Sequence, residues 1–181
     1  KERVFHSFHR DPITVEELQL KKTTGTHQRV IDMVAHELIT RERIEEWKEL
    51  PGMAPGVDIS RDIVKLAAIE RHKNTGHVGL GFLGKYGLKR GAVATSIGHD
   101  SHNLVIAGVT DEDMVLAGNR VIENGGGLAI ALAGKVLADL PLPIGGLMAD
   151  EPVEVVDEKL EHMKKLSVEL GISEDIDAFM T

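Results

Sequence analysis

Residues 96–103 read Ser96-Ile97-Gly98-His99-Asp100-Ser101-His102-Asn103, a stretch that gathers two imidazoles, a carboxylate, two hydroxyls and an amide. Imidazole gains and loses its proton near neutral pH, so a loop carrying two of them could donate or accept protons beside a bound ligand. Apolar runs flank it at 92–97 and 104–109, as in two buried strands joined by a polar connection. Burying polar groups without partners is costly, so the loop either lines a ligand cavity or stands in water as a hairpin tip. The spacing leaves both readings open. Turns favour Asp, Asn, Ser and Gly anyway, but they do not favour paired His. His99 and His102 are three residues apart and converge only if the loop turns sharply between them, so joint metal ligation is not forced.

Other residues have weaker claims on chemistry. Glu70-Arg71-His72-Lys73-Asn74 follows an apolar run and suits either a recognition site at a strand end or an exposed turn; taken alone, the pattern favours the turn. Gly79, Gly81 and Gly84 match G-x-G-x-x-G, with Asp100 downstream where a ribose-binding acid would stand. That fingerprint must leave a strand and open a helix, whereas the nearest clear strand ends near Ile69 and Gly87 interrupts any following helix. A close-packed glycine-rich turn is expected instead. His6 and His9 form an H-x-x-H in the opening segment without further ligands, and His27, His36 and His162 lack supporting neighbours.

The elements that would position these groups follow from pattern and punctuation. Residues 13–20 suggest a short strand or turn, and 29–40 a strand, or two broken near His36 and Glu37. Pro51, Gly52, Pro55 and Gly56 mark a loop, and 63–69 reads as a buried strand. The passage 70–91 gives no clear secondary structure. Thr110 and Asp113 resemble a capping box ahead of a helix with Met114, Ala117, Gly118 and Val121 on one face, closed by Gly125. Residues 128–132 and 135–140 make a second hairpin across Ala133 and Gly134. Val153, Val156, Leu160, Met163 and Leu170 recur at helical spacing up to Gly171. Hairpin, helix, hairpin, helix argues for an α+β fold: an antiparallel sheet with helices packed on one face.

Composition limits the function classes. A chain of 181 residues can bury a full core, and 42% hydrophobic content is ordinary for soluble globular proteins. The net charge of -8 comes without a Lys/Arg cluster, which argues against nucleic acid as a partner. No run approaches the roughly 20 apolar residues of a membrane span. Residues 1–10 lack the apolar core of a signal peptide, and the absence of cysteine rules out disulfides and thiolate metal sites, so a cytoplasmic location is expected. A first residue other than Met suggests a fragment.

Taken together, Ile69-Glu70-Arg71-His72, Asn74-Thr75-Gly76, Gly87-Leu88-Lys89-Arg90-Gly91-Ala92, Ser96 with residues 99–103, Pro141-Leu142-Pro143-Ile144-Gly145-Gly146-Leu147-Met148 and residues 171–177 resemble the C-terminal domain of bacterial and archaeal adenine deaminases. The resemblance covers nearly the whole chain. It implies that 1–28 is an arm or linker from a preceding (β/α)₈ barrel and 29–181 the C-terminal domain. It also implies an amidohydrolase that converts adenine to hypoxanthine and ammonia in purine salvage, with manganese or ferrous iron bound by the barrel, which this chain lacks. No metal ligands are expected here, since the family's H-x-H pair lies upstream and this sequence contains no H-x-H. His99, Asp100, Ser101, His102 and Asn103 become candidates for contacting adenine or closing over it, with Arg71 and His72 in support. Adenine as substrate and a homo-oligomer are the implied partners. A structural module that supports the barrel without touching the active site is the competing reading.

Overall fold

A computed structural model describes residues 2–5, 7–20, 25–37 and 39–179. The strands are β1 (His27–Met33), β2 (Thr40–Glu46), β3 (Ile63–Ile69), β4 (Val78–Gly84), β5 (Ala92–Thr95), β6 (Leu104–Gly108), β7 (Gly127–Leu132) and β8 (Lys135–Pro141). They form one open sheet in the order β2-β1-β4-β3-β6-β5-β7-β8. Every neighbouring pair is antiparallel except β1 and β4, which run parallel over a short stretch at Ile31–Leu83 and Asp32–Gly84. The helices are α1 (Glu2–Phe5), α2 (Val15–Leu18), α3 (Asp111–Glu123) and α4 (Val153–Glu169). Among the described residues, no helix is long and apolar enough to cross a membrane.

The α+β class and the predominantly antiparallel sheet match the expectation from pattern. The two long helices, however, take opposite faces of the sheet. Successive strand residues point to opposite sides, and both sides of the central strands are apolar, so one helix cannot cover them. Ala92 and Ala94 of β5, with Ala129 and Ala131 of β7, pack beneath Met114, Ala117 and Val121 of α3. Val93, Leu128 and Ile130 face the other way, into a core shared with Met163 and Leu170, and this core continues to Ile172 and Phe179.

Helix α3 starts as its residues specify: the Thr110 hydroxyl accepts the Asp113 amide at 3.3 Å, and the first turn carries three acids. Gly118 lets it approach the sheet, because a Cβ there would lie 2.6 Å from an Ile106 methyl and 2.7 Å from one of Ile13. Residues 13–20, expected as a strand or turn, include α2, where the Glu17 carboxylate accepts the Thr14 amide at 2.9 Å. Ile13 and Leu18 are buried against the α3 face.

Two strands went unanticipated. Strand β2, Thr-Arg-Glu-Arg-Ile-Glu-Glu, lies at the sheet edge with water on most of its surface, so it shows no apolar run; charge on an edge strand also discourages pairing with other chains. Strand β4 contains Gly79, Gly81 and Gly84, whose lack of side chains hid its period, and it pairs with β3 along its whole length. Those glycines therefore sit inside an antiparallel strand, which is neither the phosphate-binding turn of a dinucleotide fingerprint nor the close-packed turn expected in its place. Of the two readings of residues 29–40, one strand or two, the structure has the broken one: β1 ends at Met33, β2 starts at Thr40, and His36 between them has φ 60°.

Candidate functional site

One end of the sheet collects the β3–β4 connection (70–77), the β5–β6 loop (96–103), the β8–α4 loop (142–148) and the opening arm. The arm is tied in by two backbone bonds, from the Gly145 amide to the Val4 carbonyl at 2.8 Å and from the His9 amide to the Arg71 carbonyl at 2.7 Å. His6, the first residue of the H-x-x-H, lies outside the described residues.

The β5–β6 loop makes the sharp turn that its spacing left open. Asp100 and His102 adopt φ of 65° and 47°, and the His102 amide bonds the Gly98 carbonyl at 2.7 Å. Non-glycine residues in this left-handed region are uncommon, and Asp and His are among the types that tolerate it best. The two imidazoles sit in different surroundings. The His99 side chain is 81% exposed and that of Asp100 95%, with Nδ1 and Oδ1 3.3 Å apart at the tip. His102 is half-buried instead, and its Nδ1 is buried without a hydrogen-bond partner among the described residues. Ser101 is exposed, Asn103 half-buried.

Arg71 differs from the rest of the turn 70–76: it is 1% exposed, while His72 through Gly76 are exposed. Its Nε donates to the His102 carbonyl at 2.6 Å and its Nη2 to the Gly145 carbonyl at 3.1 Å. Its guanidinium lies 4.8 Å from the centre of the Phe8 ring, a cation–π contact. Burial pushes the Arg71 pKa down from its usual value. His72 reaches the same loop from outside, with Nε2 2.9 Å from the Ser101 carbonyl.

Glu70 organises the turn beneath them. Its carboxylate accepts the amides of Thr75, Lys73 and His72 at 2.9, 2.8 and 2.6 Å, and the Thr75 hydroxyl at 2.9 Å. These bonds, the Thr75 amide foremost, hold its pKa down to about 2. On the other side, buried Ser96 accepts the Gly127 amide at 2.7 Å and donates to the Gly146 carbonyl at 2.5 Å.

Gly145 and Gly146 enter the sequence reading only inside the Pro141–Met148 motif of the resemblance, with no role assigned, and Phe8 does not enter it at all. Both glycines take positive φ, and at Gly146 a Cβ would crowd the guanidinium at 2.7–2.9 Å. Among the described residues, no three His, Asp or Glu side chains converge as a metal ion would require, so the residues present do not fit a divalent ion. Two surface concavities, of about 630 and 720 Å³, lie away from this end, at the start of α3 and beside the end of α4.

The sequence model of the family described as "Adenine deaminase C-terminal domain" matches residues 37–181. The chain belongs to the adenine deaminase C-terminal domain family. An adenine deaminase of Kosmotoga olearia is 48% identical over 157 residues, covering 87% of this chain and 27% of that protein. Adenine deaminase 2 of Carboxydothermus hydrogenoformans is 44% identical over 153 residues, covering 84% and 27%. An adenine deaminase of Bacillus licheniformis is 38% identical over 178 residues, covering 98% and 31%. The chain thus spans less than a third of the length of these curated adenine deaminases. The family match includes Arg71, His72, the whole 96–103 loop and the Gly145–Gly146 pair.

Proposed function

We propose that the chain serves as the C-terminal portion of a cytoplasmic, homo-oligomeric adenine deaminase of purine salvage, which hydrolyses adenine to hypoxanthine and ammonia. The family match over residues 37–181 carries this reading. The divalent metal, manganese or ferrous iron, belongs to the rest of the protein in this proposal; this chain contributes no ligand set and no metal-borne step.

Within that reading, the loop at His99, Asp100, Ser101, His102 and Asn103 is the part of the domain that meets the active site or closes over adenine. Its tip presents an imidazole and a carboxylate to the outside, while its base is fixed by backbone bonds. A tip exposed in this way also fits a solvated turn on a supporting module, so the two readings need a functional test. In the full-length enzyme, His99→Ala, Asp100→Ala and His102→Ala are expected to change turnover or adenine KM by about tenfold or more while Tm stays near wild type at the two exposed positions. Unchanged kinetics in all three would leave the loop a structural tip.

A further inference from the structure

We infer that Arg71 is a positioning residue: it contacts no substrate and instead bolts the 96–103 loop, the 142–148 loop and the opening arm into one fixed surface. The inference rests on the proposal that this loop meets the active site. Arg71 is 1% exposed, and its two bonded nitrogens donate to backbone carbonyls, His102 on one loop and Gly145 on the other, while Nη1 is buried among the described residues without a hydrogen-bond partner. The Phe8 ring covers it from the arm, and the Arg71 carbonyl holds the His9 amide. Gly146 closes the cage, since any side chain there would overlap Nη1, Cζ and Nη2.

Loops move easily unless packing or hydrogen bonds restrain them, and a site that must meet its target within about 0.5 Å needs such restraint. Arginine suits this task because its planar fork can donate in two directions at once, which a lysine ammonium on a flexible stem does not reproduce. His72 adds a bond to Ser101 from the solvent side, where water competes with it.

Two neighbouring glycines provide a test that leaves Arg71 in place. Gly145 and Gly146 have φ of 68° and 74°, so alanine strains the backbone similarly at both, but only at Gly146 does the new Cβ meet the guanidinium; at Gly145 it meets nothing within 4 Å. The readout is hydrogen exchange of the His102 amide, which bonds the Gly98 carbonyl, in this chain carrying Arg71→Gln, Arg71→Lys, Gly146→Ala or Gly145→Ala. The expected result is exchange about tenfold faster or more in the first three and near wild type in Gly145→Ala. Equal effects of the two alanine substitutions, or unchanged exchange in Arg71→Gln, would overturn the inference. In the full-length enzyme, Arg71→Gln and Gly146→Ala should then lower kcat/KM together. If Arg71→Gln weakens adenine binding with loop exchange unchanged, Arg71 touches substrate and the positioning role is wrong. If the loop loosens while substitutions at His99, Asp100 and His102 leave turnover intact, the bolt stands and the proposal for the loop falls.

Discussion

Single residues at the loop end divide into those that hold and those that are presented. Glu70 holds, and its carboxylate makes the turn depend on pH. Its folded pKa, about 2, lies below its ordinary 4.5, so the stability it contributes is fully present above about pH 4.5 and is lost as the pH falls toward 2. Asp58 acts in the same direction. Burial would raise its pKa, but bonds from Ser60 and Arg61 outweigh that and bring it from 3.8 to about 2. Urea unfolding at pH 6 and pH 3 should therefore show a smaller loss of stability between the two pH values in Glu70→Gln than in wild type. An equal loss would mean that the Glu70 bonds do not hold in solution.

At the scale of elements, one carboxylate joins a helix to a hairpin. Asp113, in the first turn of α3 and 5% exposed, accepts the amides of Ala133 and Gly134 at 3.2 and 3.0 Å. Those amides lie in the β7–β8 turn, where Ala133 has φ 52° and Gly134 has φ 75°. A short turn with two positive φ values matches the twist of the strands it joins, and the helix supplies the acceptors its amides require. Asp113→Ala is expected to cost about 1–3 kcal/mol in denaturant unfolding, because the amides of the exposed Ala133 and Gly134 lose a charged acceptor while the Thr110 cap on the Asp113 backbone survives. A loss below about 0.5 kcal/mol would show that water replaces the carboxylate without penalty.

For the molecule as a whole, the arm, sheet and helix meet at one buried ion pair. Lys65 of β3 is fully buried, donates to the Leu18 carbonyl of the arm and pairs with Asp111 of α3 at 2.6 Å. Desolvating such a pair costs about as much as the pair returns, but removing one partner strands the other charge. Lys65→Met should therefore destabilise the protein by about 3–5 kcal/mol, with part of that recovered in Lys65→Met/Asp111→Leu; equilibrium unfolding of wild type and both variants decides it. If the proposed division of labour holds, this chain alone, supplied with manganese or ferrous iron, shows no adenine turnover when the ultraviolet change to hypoxanthine is followed. Turnover would place the catalytic site within these residues.

Local chemistry determined much of this fold from the sequence. The Thr110 cap, the spacing of Met114, Ala117 and Val121, the Ala133–Gly134 turn and the apolar runs of β3, β5, β6 and β7 each act over a few neighbouring residues, so they are legible without the rest of the chain. The resemblance to the adenine deaminase C-terminal domain was legible too, because it rests on the order of short motifs. Tertiary structure decided what depends on distant partners. The parallel insertion of β1 beside β4, the strand character of glycine-rich β4, and the placement of α3 and α4 on opposite faces all follow from which apolar surfaces find each other. Arg71 shows the same at the site: within Glu70-Arg71-His72-Lys73-Asn74 it reads as one charge among several in a turn. It is buried only because carbonyls 31 and 74 residues away, together with the Phe8 ring, converge on it.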